Sequence, residues 1–158
     1  MSGRRGAAWL FCSALVVYLL DRASKVWVEH SLDGRPPIKL IPGALSLTFT
    51  TNSGGAFSLG QSAPWVFAVA TIAVSALIVA TAMRHHRLLT SVALGLVLGG
   101  ALGNLTDRIV RGPGLRGQVV DFIDFHVWPV FNVADSAIVI GAVLLALSTR
   151  SRPELEDA

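Results

Sequence analysis

The sequence is poor in charged residues, and this scarcity indicates its class. Lys, Arg, Asp and Glu make up 15% of its 158 residues, whereas 53% are hydrophobic and the mean hydropathy is +0.61. A soluble domain usually carries about 25% charged residues. The composition therefore favours a membrane α-helical protein over a soluble globular one.

Cysteine and the standard catalytic motifs are also scarce. A single cysteine, Cys12, excludes an internal disulfide. The chain contains no H-E-x-x-H, G-x-S-x-G, C-x-x-C or P-loop motif, which argues against the hydrolase classes that carry them. His85 and His86 lie among arginines, where a solvated loop is favoured over a metal site. The pI is near 9.8, but the sequence has no basic stripe with interleaved aromatics. The positive charge therefore indicates affinity for anionic lipid headgroups, and no nucleic-acid partner is expected.

Four apolar segments predict four transmembrane helices within one integral-membrane domain, residues 1–158. We expect the spans at residues 7–22, 63–83, 90–108 and 132–149. A span needs about 20 residues, so the shorter segments must extend into polar flanks. Polar side chains are therefore predicted at membrane depth.

The first apolar segment also has the charged start of a cleavable signal peptide, at Arg4 and Arg5. The charged stretch "LLDRASKVW" follows it in place of a small-residue cleavage site, so we interpret it as an uncleaved anchor. Lys and Arg are denser in the short termini and the "RHHR" turn than in the two long loops. This density predicts that both termini are cytoplasmic, although the raw counts on the two sides are nearly equal.

The region between the first two spans predicts a small extracytoplasmic sheet, at residues 36–60. The stretch "LSLTFTT" alternates apolar and hydroxyl side chains, which is typical of a half-buried strand. Proline and glycine interrupt the chain before it, and "NSGG" interrupts it afterwards. The preceding "PPIKLIPG" is a candidate neighbouring strand.

Glycines in the third span recur every four residues, at Gly95, Gly99 and Gly103. This spacing predicts a flat helix face that a neighbouring helix can approach closely.

A second stripe on the same helix is polar, with Gly100, Asn104 and Arg108 at i, i+4 and i+8. Buried polar groups are costly without partners, so carboxylates, backbone or substrate should lie opposite. We expect Asp107 to hold Arg108 through a local ion pair or hydrogen bond.

The fourth span begins at "FNVADSAI", where Asn132 can cap the helix and Asp135 lies in its first turn. A capping pair explains both residues without any function. The sixteen residues 133–148 rise only about 24 Å, against a hydrocarbon core of about 30 Å. Asp135 is therefore expected at the membrane interface or below it.

Carboxylates are the remaining candidates for chemistry on the outer side: Asp21, Asp107, Asp121, Asp124 and Asp135. Two carboxylates in a low-dielectric site share a proton, so one can act as base and the other as acid on water. Periodicity does not choose between Asp121 and Asp124, because a strand separates them and a helix brings them to one face. Asp21 and Lys25, at i and i+4, are typical of a surface ion pair.

Five ordered blocks resemble the bacterial lipoprotein signal peptidases, or signal peptidase II: "DRASK", "TNSGGAF", "GGALGNLTDR", "VVDFIDFH" and "FNVADSAI". The resemblance implies a multi-pass aspartyl endopeptidase of the bacterial plasma membrane, with its active site towards the outer face. It implies cleavage of diacylglyceryl-modified prolipoproteins immediately before the lipidated cysteine, without a metal or other cofactor. The expected partners are these substrates and membrane lipids, and the expected state is a monomer.

The resemblance also assigns site residues. Asp121 and Asp135 match the catalytic aspartates of the family, which leaves Asp124 outside the pair. The positions that match substrate-binding or supporting residues are Asp21, Lys25, Asn52, Gly54, Asn104, Arg108 and Asn132. The spacer "DRIVRGPGLRGQVVDF" is longer than usual in the family, so no role is transferred to Arg111, Gly112 or Arg116.

Two other functions fit part of the pattern. A proton-coupled transporter also carries Asp, Asn and Arg on facing helices, but usually near mid-membrane and in a repeated architecture. An assembly chaperone for membrane partners leaves two facing aspartates unexplained.

Overall fold

The computed structural model describes residues 3–54, 64–84 and 87–150. In chain order its α-helices and β-strands are α1 (Gly3–Leu32), β1 (Ile38–Ile41), β2 (Leu45–Asn52), α2 (Pro64–Thr81), α3 (Leu88–Val110), β3 (Val119–Asp124) and α4 (Val133–Arg150). Four helices in these ranges match the predicted number, and residues 55–60 of the expected sheet region lie outside them, as do His85 and His86.

Helix α1 is longer than the span expected at residues 7–22. Its 30 residues rise about 45 Å, which exceeds a hydrocarbon core of about 30 Å. Its buried side recurs every three or four residues over most of its length, through Ala7, Leu10, Ala14, Val17, Asp21, Lys25, Val28 and Leu32. Asp21 and Lys25 thus belong to the face that packs against the protein, and the last turns project beyond the apolar part of the helix.

Helix α3 is central and packs against α1, α2 and α4. The glycine-face prediction is confirmed, because a Cβ at Gly99 would lie 2.4 Å from the carbonyl oxygen of Ala14 in α1. A Cβ at Gly103 would lie 2.4 Å from the Asp21 carboxylate, so this glycine makes room for a buried charge. Gly100, on the neighbouring face, makes the same close approach to Ala134 of α4.

The distribution of apolar side chains suits a lipid environment. Large aliphatic residues on α1, α2 and α4 are exposed, whereas nine polar or charged residues of the described ranges are buried. By length and composition, α1 and α3 are able to cross a membrane, and Trp65–Thr81 and Val133–Ser148 are shorter apolar helices. Apolar surface of this extent is rare on a soluble monomer.

The sheet has three antiparallel strands in the order β1-β2-β3. The expected strands β1 and β2 are present, but β3 comes from the segment between α3 and α4, which the sequence interpretation did not include. Val120 and Phe122 of β3 pack against Val28 and Leu32 at the end of α1. The sheet therefore covers the end of the bundle at which α4 begins.

Candidate active site

Asp121 and Asp135 are connected through a single amide side chain. Asp121 lies on β3 and is 3% exposed, while Asp135 lies in the first turn of α4. The Asn132 side chain donates from Nδ2 to Asp121 Oδ1 at 2.6 Å, and its Oδ1 accepts from the Asp135 backbone N–H at 2.9 Å. The predicted helix cap is thus confirmed, and the same cap also binds a carboxylate of the sheet.

A second amide fixes the other carboxylate. Asn104 of α3 donates from Nδ2 to Asp135 Oδ1 at 2.8 Å. Its Oδ1 accepts from Lys25 Nζ at 2.8 Å and from Asn132 Nδ2 at 3.2 Å. Because an ammonium group only donates, Lys25 holds the Asn104 oxygen towards itself and directs the NH₂ group to Asp135.

The environment of Asp121 favours its protonated form. Burial and, to a smaller extent, the neighbouring charge of Asp135 raise the pKa of the Asp121 carboxyl to about 7. Hydrogen bonds from Asn132 and Asn52 act in the opposite direction. A proton is therefore available on Asp121 near neutral pH, as expected for a carboxylate beside another in a desolvated site.

Arg108 holds the turn that follows β2. Its guanidinium donates to the carbonyl oxygens of Ser53 at 3.3 Å and Gly54 at 2.8 Å, and lies 5.7 Å from the ring centre of Phe67. The same turn is closed by Asn52, whose Oδ1 accepts from the Gly54 N–H at 2.9 Å. Arg108 is buried, so these carbonyls supply the partners that its charge requires.

Two expectations about ion pairs are wrong. Asp21 and Lys25 do not form a surface pair, because both side chains are fully buried 2.8 Å apart. Asp107 does not hold Arg108; its carboxylate lies 2.9 Å from Lys25 Nζ and also contacts Arg22 and Arg111. The reason is helical periodicity, which turns Asp107 towards α1 and Arg108 towards the sheet.

The buried ions also hold the start of α4. Asp21 Oδ1 accepts from the Ala134 backbone N–H at 3.0 Å, in the turn that carries Asp135. Lys25 therefore contacts two carboxylates and one amide, each of which touches a different part of the site.

Arg111, to which the sequence assigned no role, connects the long spacer to α1. It forms two hydrogen bonds of 2.7 Å with the Glu29 carboxylate, and its Nε lies 3.1 Å from Asp107 Oδ1. These bonds raise the pKa of Arg111 above its ordinary value. The i, i+4 spacing of Asp107 and Arg111 was the only sequence signal for this contact.

Asp124 lies outside the hydrogen bonds around Asp121 and Asp135. Its Oδ1 accepts from the His126 backbone N–H at 2.7 Å, and its side chain is 26% exposed. His126 has a φ of 60°, and its Nε2 lies 3.0 Å from Ser46 Oγ. The stretch is a strand, so Asp121 and Asp124 point to opposite faces, and the choice of Asp121 as the catalytic residue stays a prediction.

Comparison with solved structures indicates the class of protein. Two bacterial membrane enzymes, solved by the in meso method at 2.3 Å and 1.9 Å resolution, are similar with TM-scores of 0.78 and 0.75. They are 28% and 29% identical to this chain, each alignment covers 94% of it, and the covered shares of the two structures are 93% and 94%. The fold is therefore that of a bacterial membrane enzyme.

Sequence comparison identifies the family. The family model described as signal peptidase (SPase) II matches residues 13–150. A lipoprotein signal peptidase of Streptomyces coelicolor is 47% identical, with 92% of this chain and 72% of the relative aligned. One from Pseudomonas putida is 45% identical, with 99% and 95% aligned. The chain belongs to the signal peptidase II family of aspartic-type peptidases, as its resemblance indicated.

Proposed function

We propose that this protein cleaves diacylglyceryl-modified prolipoproteins immediately before the lipidated cysteine, with Asp121 and Asp135 activating the water. The family supports prolipoprotein substrates. The observation that carries the residue assignment is the Asn132 side chain, which donates to the buried Asp121 carboxylate of the strand and accepts from the backbone N–H of Asp135 at the start of an apolar helix. A peptide bond next to a lipid anchor must be cut at this depth, where acyl chains remain in the bilayer.

Before water attacks, Asp121 carries the proton and Asp135 the negative charge. The raised pKa of Asp121 supports this assignment. The N-terminal dipole of α4 and the Asn104 hydrogen bond stabilise a charged Asp135, the dipole by about 0.3–1 kcal/mol. Substrate-binding and supporting roles fall to Asn52, Gly54, Arg108, Asp21, Lys25, Asn104 and Asn132.

The reaction then proceeds by general acid–base catalysis. Asp135 takes a proton from water as the oxygen bonds to the scissile carbonyl carbon, and Asp121 donates its proton to the carbonyl oxygen. As the tetrahedral intermediate collapses, the C–N bond breaks and the proton on Asp135 passes to the leaving amine. Asp121 recovers its proton from the carbonyl oxygen, which restores the starting state.

Cleavage of a defined substrate tests the proposal. The purified protein in detergent should convert a lipidated prolipoprotein peptide into a free signal peptide and a product that begins with the lipidated cysteine. Mass spectrometry identifies the cut bond, and the same peptide without the diacylglyceryl group is the control. Intact lipidated peptide would exclude the proposed reaction and leave transport or assembly functions to be tested.

The orientation in the membrane is a further part of the proposal. All 158 residues form one multi-pass domain in the inner membrane, as a monomer that contacts lipids. Its spans lie near residues 7–22, 63–83, 90–108 and 132–149, with the active site facing outwards.

Since the short termini are dense in Lys and Arg, we expect a reporter active only outside the cytoplasm to stay silent when fused after Ala158. The same reporter inserted after Gly34 is the positive control; the reverse pattern would contradict the orientation.

Hydrolysis should continue after metal removal, because the proposed acid and base are both carboxylates. Within the ranges that the structure describes, no group of three or more His, Cys, Asp or Glu residues is placed to hold a metal ion. We expect full activity after exhaustive chelation, measured as the initial rate of peptide cleavage. A loss of activity that added zinc restores would contradict this mechanism.

Arg108→Ala should weaken substrate binding more than it slows chemistry. The substitution removes the donors to Ser53 and Gly54 and releases the turn that contains Asn52. Buried hydrogen bonds to a charged group contribute about 1.5–3 kcal/mol, so we expect KM to rise about tenfold or more with a smaller change in kcat. The exposed Arg116→Ala variant is the control. Unchanged kinetics at normal yield would show that this turn does not support binding.

A further inference from the structure

Five exposed apolar side chains gather at one end of the sheet. Strand β1 ends there at Ile41, and β3 ends there at Asp124, because both are antiparallel to β2. The exposed apolar residues at this end, called the tip patch below, are Leu40, Ile41, Phe125, Val127 and Trp128. Val127 is 91% exposed, so no residue in the described part of the chain covers the most prominent member of the patch.

The loop that carries three of the five patch residues is held in a defined shape. Phe131 pairs with Ile123 as an isolated β-bridge, and its ring stacks on Phe125 with the ring centres 5.8 Å apart. The Asp124 carboxylate binds the backbone N–H of His126, which has a positive φ. The apolar tip is therefore presented by a fixed turn.

Tryptophans on α1 indicate the level of the membrane surface. Trp9 and Trp27 are both exposed and are separated by 18 residues, which is five turns, so they lie on the same side of the helix. Their separation along the axis is about 27 Å, close to the hydrocarbon thickness of about 30 Å. Because tryptophan is enriched at both membrane–water interfaces, the pair marks the two surfaces of the bilayer.

The tip patch lies near the outer of these two levels. Trp65, exposed in the first turn of α2, is at the same end of the bundle as Trp27. The loop with Trp128 returns to Asn132, and α4 begins at Val133. The chain therefore ties the Trp128 side of the patch to the outer end of α4, whose side chains Val139 and Ile140 are exposed and apolar. Lys39, exposed on β1 beside Leu40, provides a charge suited to anionic headgroups.

We propose that the tip patch inserts into the interfacial layer of the outer leaflet and seats the sheet on the phospholipid bilayer. This inference depends on the membrane orientation in the proposed function, but not on the catalytic residues. Asp121 lies on the same strand as Asp124 and four residues before Phe125. Seating of the tip therefore fixes the height of Asp121 relative to the lipid.

Spin-label depth measurements test the insertion. Val127→Cys in a Cys12→Ser background is labelled with a nitroxide and placed in phosphatidylethanolamine–phosphatidylglycerol vesicles. The matched control is Asp33→Cys, an exposed polar site directly after α1 and outside the tip patch. We expect the ratio of oxygen to nickel-complex accessibility to be several-fold higher at residue 127 than at residue 33. Equal, water-like ratios would overturn the proposal.

A second measurement does not require labelling. The fluorescence difference between the unmodified protein and Trp128→Phe isolates the emission of Trp128, which should be strongly quenched in vesicles of brominated phospholipid. Absence of quenching would contradict insertion. Spin–spin broadening at residue 127 that grows with the protein-to-lipid ratio would instead show that the patch contacts a second copy of the protein. If the labelled enzyme cleaves substrate normally while its label stays in water, the insertion of the tip patch is refuted and the proposed function is not.

Discussion

Asp121→Asn and Asp135→Asn should each abolish cleavage of a lipidated prolipoprotein, whereas Asp124→Asn should retain a substantial fraction of the activity. An amide keeps the size of the carboxyl group but cannot accept and return a proton. General acid–base catalysis contributes about 10²–10⁴-fold, so we expect the rate to fall by at least about 10²-fold in the first two variants. Asp124 contacts a partly exposed turn, and an asparagine oxygen can still accept the His126 N–H.

The three variants are measured together because each serves as a control for the others. All three should insert into membranes, purify at similar yield and bind the lipidated peptide, since the substitutions preserve shape. Initial cleavage rates then separate catalysis from folding. An active Asp121→Asn protein would remove Asp121 from the reaction. An inactive but well-folded Asp124→Asn protein beside it would transfer that role to Asp124.

The helical part of the fold was predictable because membrane helices have strong sequence signals. Apolar segments of nearly sufficient length, a glycine every fourth residue and an Asn that precedes a helix can each be recognised within one short stretch of the sequence. Gly99 and Gly103 indeed face α1, and Asn132 caps α4. For these features, the sequence pattern corresponded directly to the local structure.

Strand β3 was harder to predict because its partner is distant in the sequence. Residues 119–122 are all buried, so the stretch lacks the alternation of a half-exposed strand. Pairing of Thr50 with Asp121 joins segments about 70 positions apart, which local periodicity does not indicate. The family resemblance selected Asp121, whereas the pattern of the residues left Asp121 and Asp124 equivalent.

The buried ion pair had a signal that the sequence interpretation did not use. Asp21 and Lys25 continue the three-to-four residue spacing of the apolar stripe on α1, from Val17 to Val28. An extended helix places both charges on the packed face, even though the apolar segment itself ends earlier. The contacts of Asp107 and Arg111 with α1 depend on how two helices pack, which a single sequence does not encode locally.

Lys25→Met should strongly destabilise the protein and lower its activity. Lys25 lies between Asp21 and Asp107, and all three side chains are fully buried. Methionine has similar length but no charge, so the variant leaves a carboxylate without its cation. Removal of one partner of a buried ion pair typically costs about 3–5 kcal/mol. We expect a large fall in thermal midpoint in detergent, whereas Lys39→Met, at an exposed position on β1, should melt like the unmodified protein.

The two acidic partners of Lys25 should differ when tested for rescue. Asp107 retains Arg22 and Arg111 after the substitution, whereas Asp21 retains only the Ala134 N–H among the polar contacts described. Adding Asp21→Asn to Lys25→Met should therefore recover part of the lost thermal midpoint, and adding Asp107→Asn should not. Equal rescue by both, or a Lys25→Met protein as stable as the original, would contradict this account of the buried charges.

Activity should remain low even where stability is recovered, because Lys25 also orients the Asn104 amide. Without the ammonium group, the Asn104 oxygen keeps only the longer hydrogen bond from Asn132, so the NH₂ group is held less firmly towards Asp135. We expect kcat of the Lys25→Met, Asp21→Asn protein to stay below that of Asp21→Asn alone, with KM less affected. Equal kcat values in these two proteins would show that Lys25 contributes to folding and not to the position of Asp135.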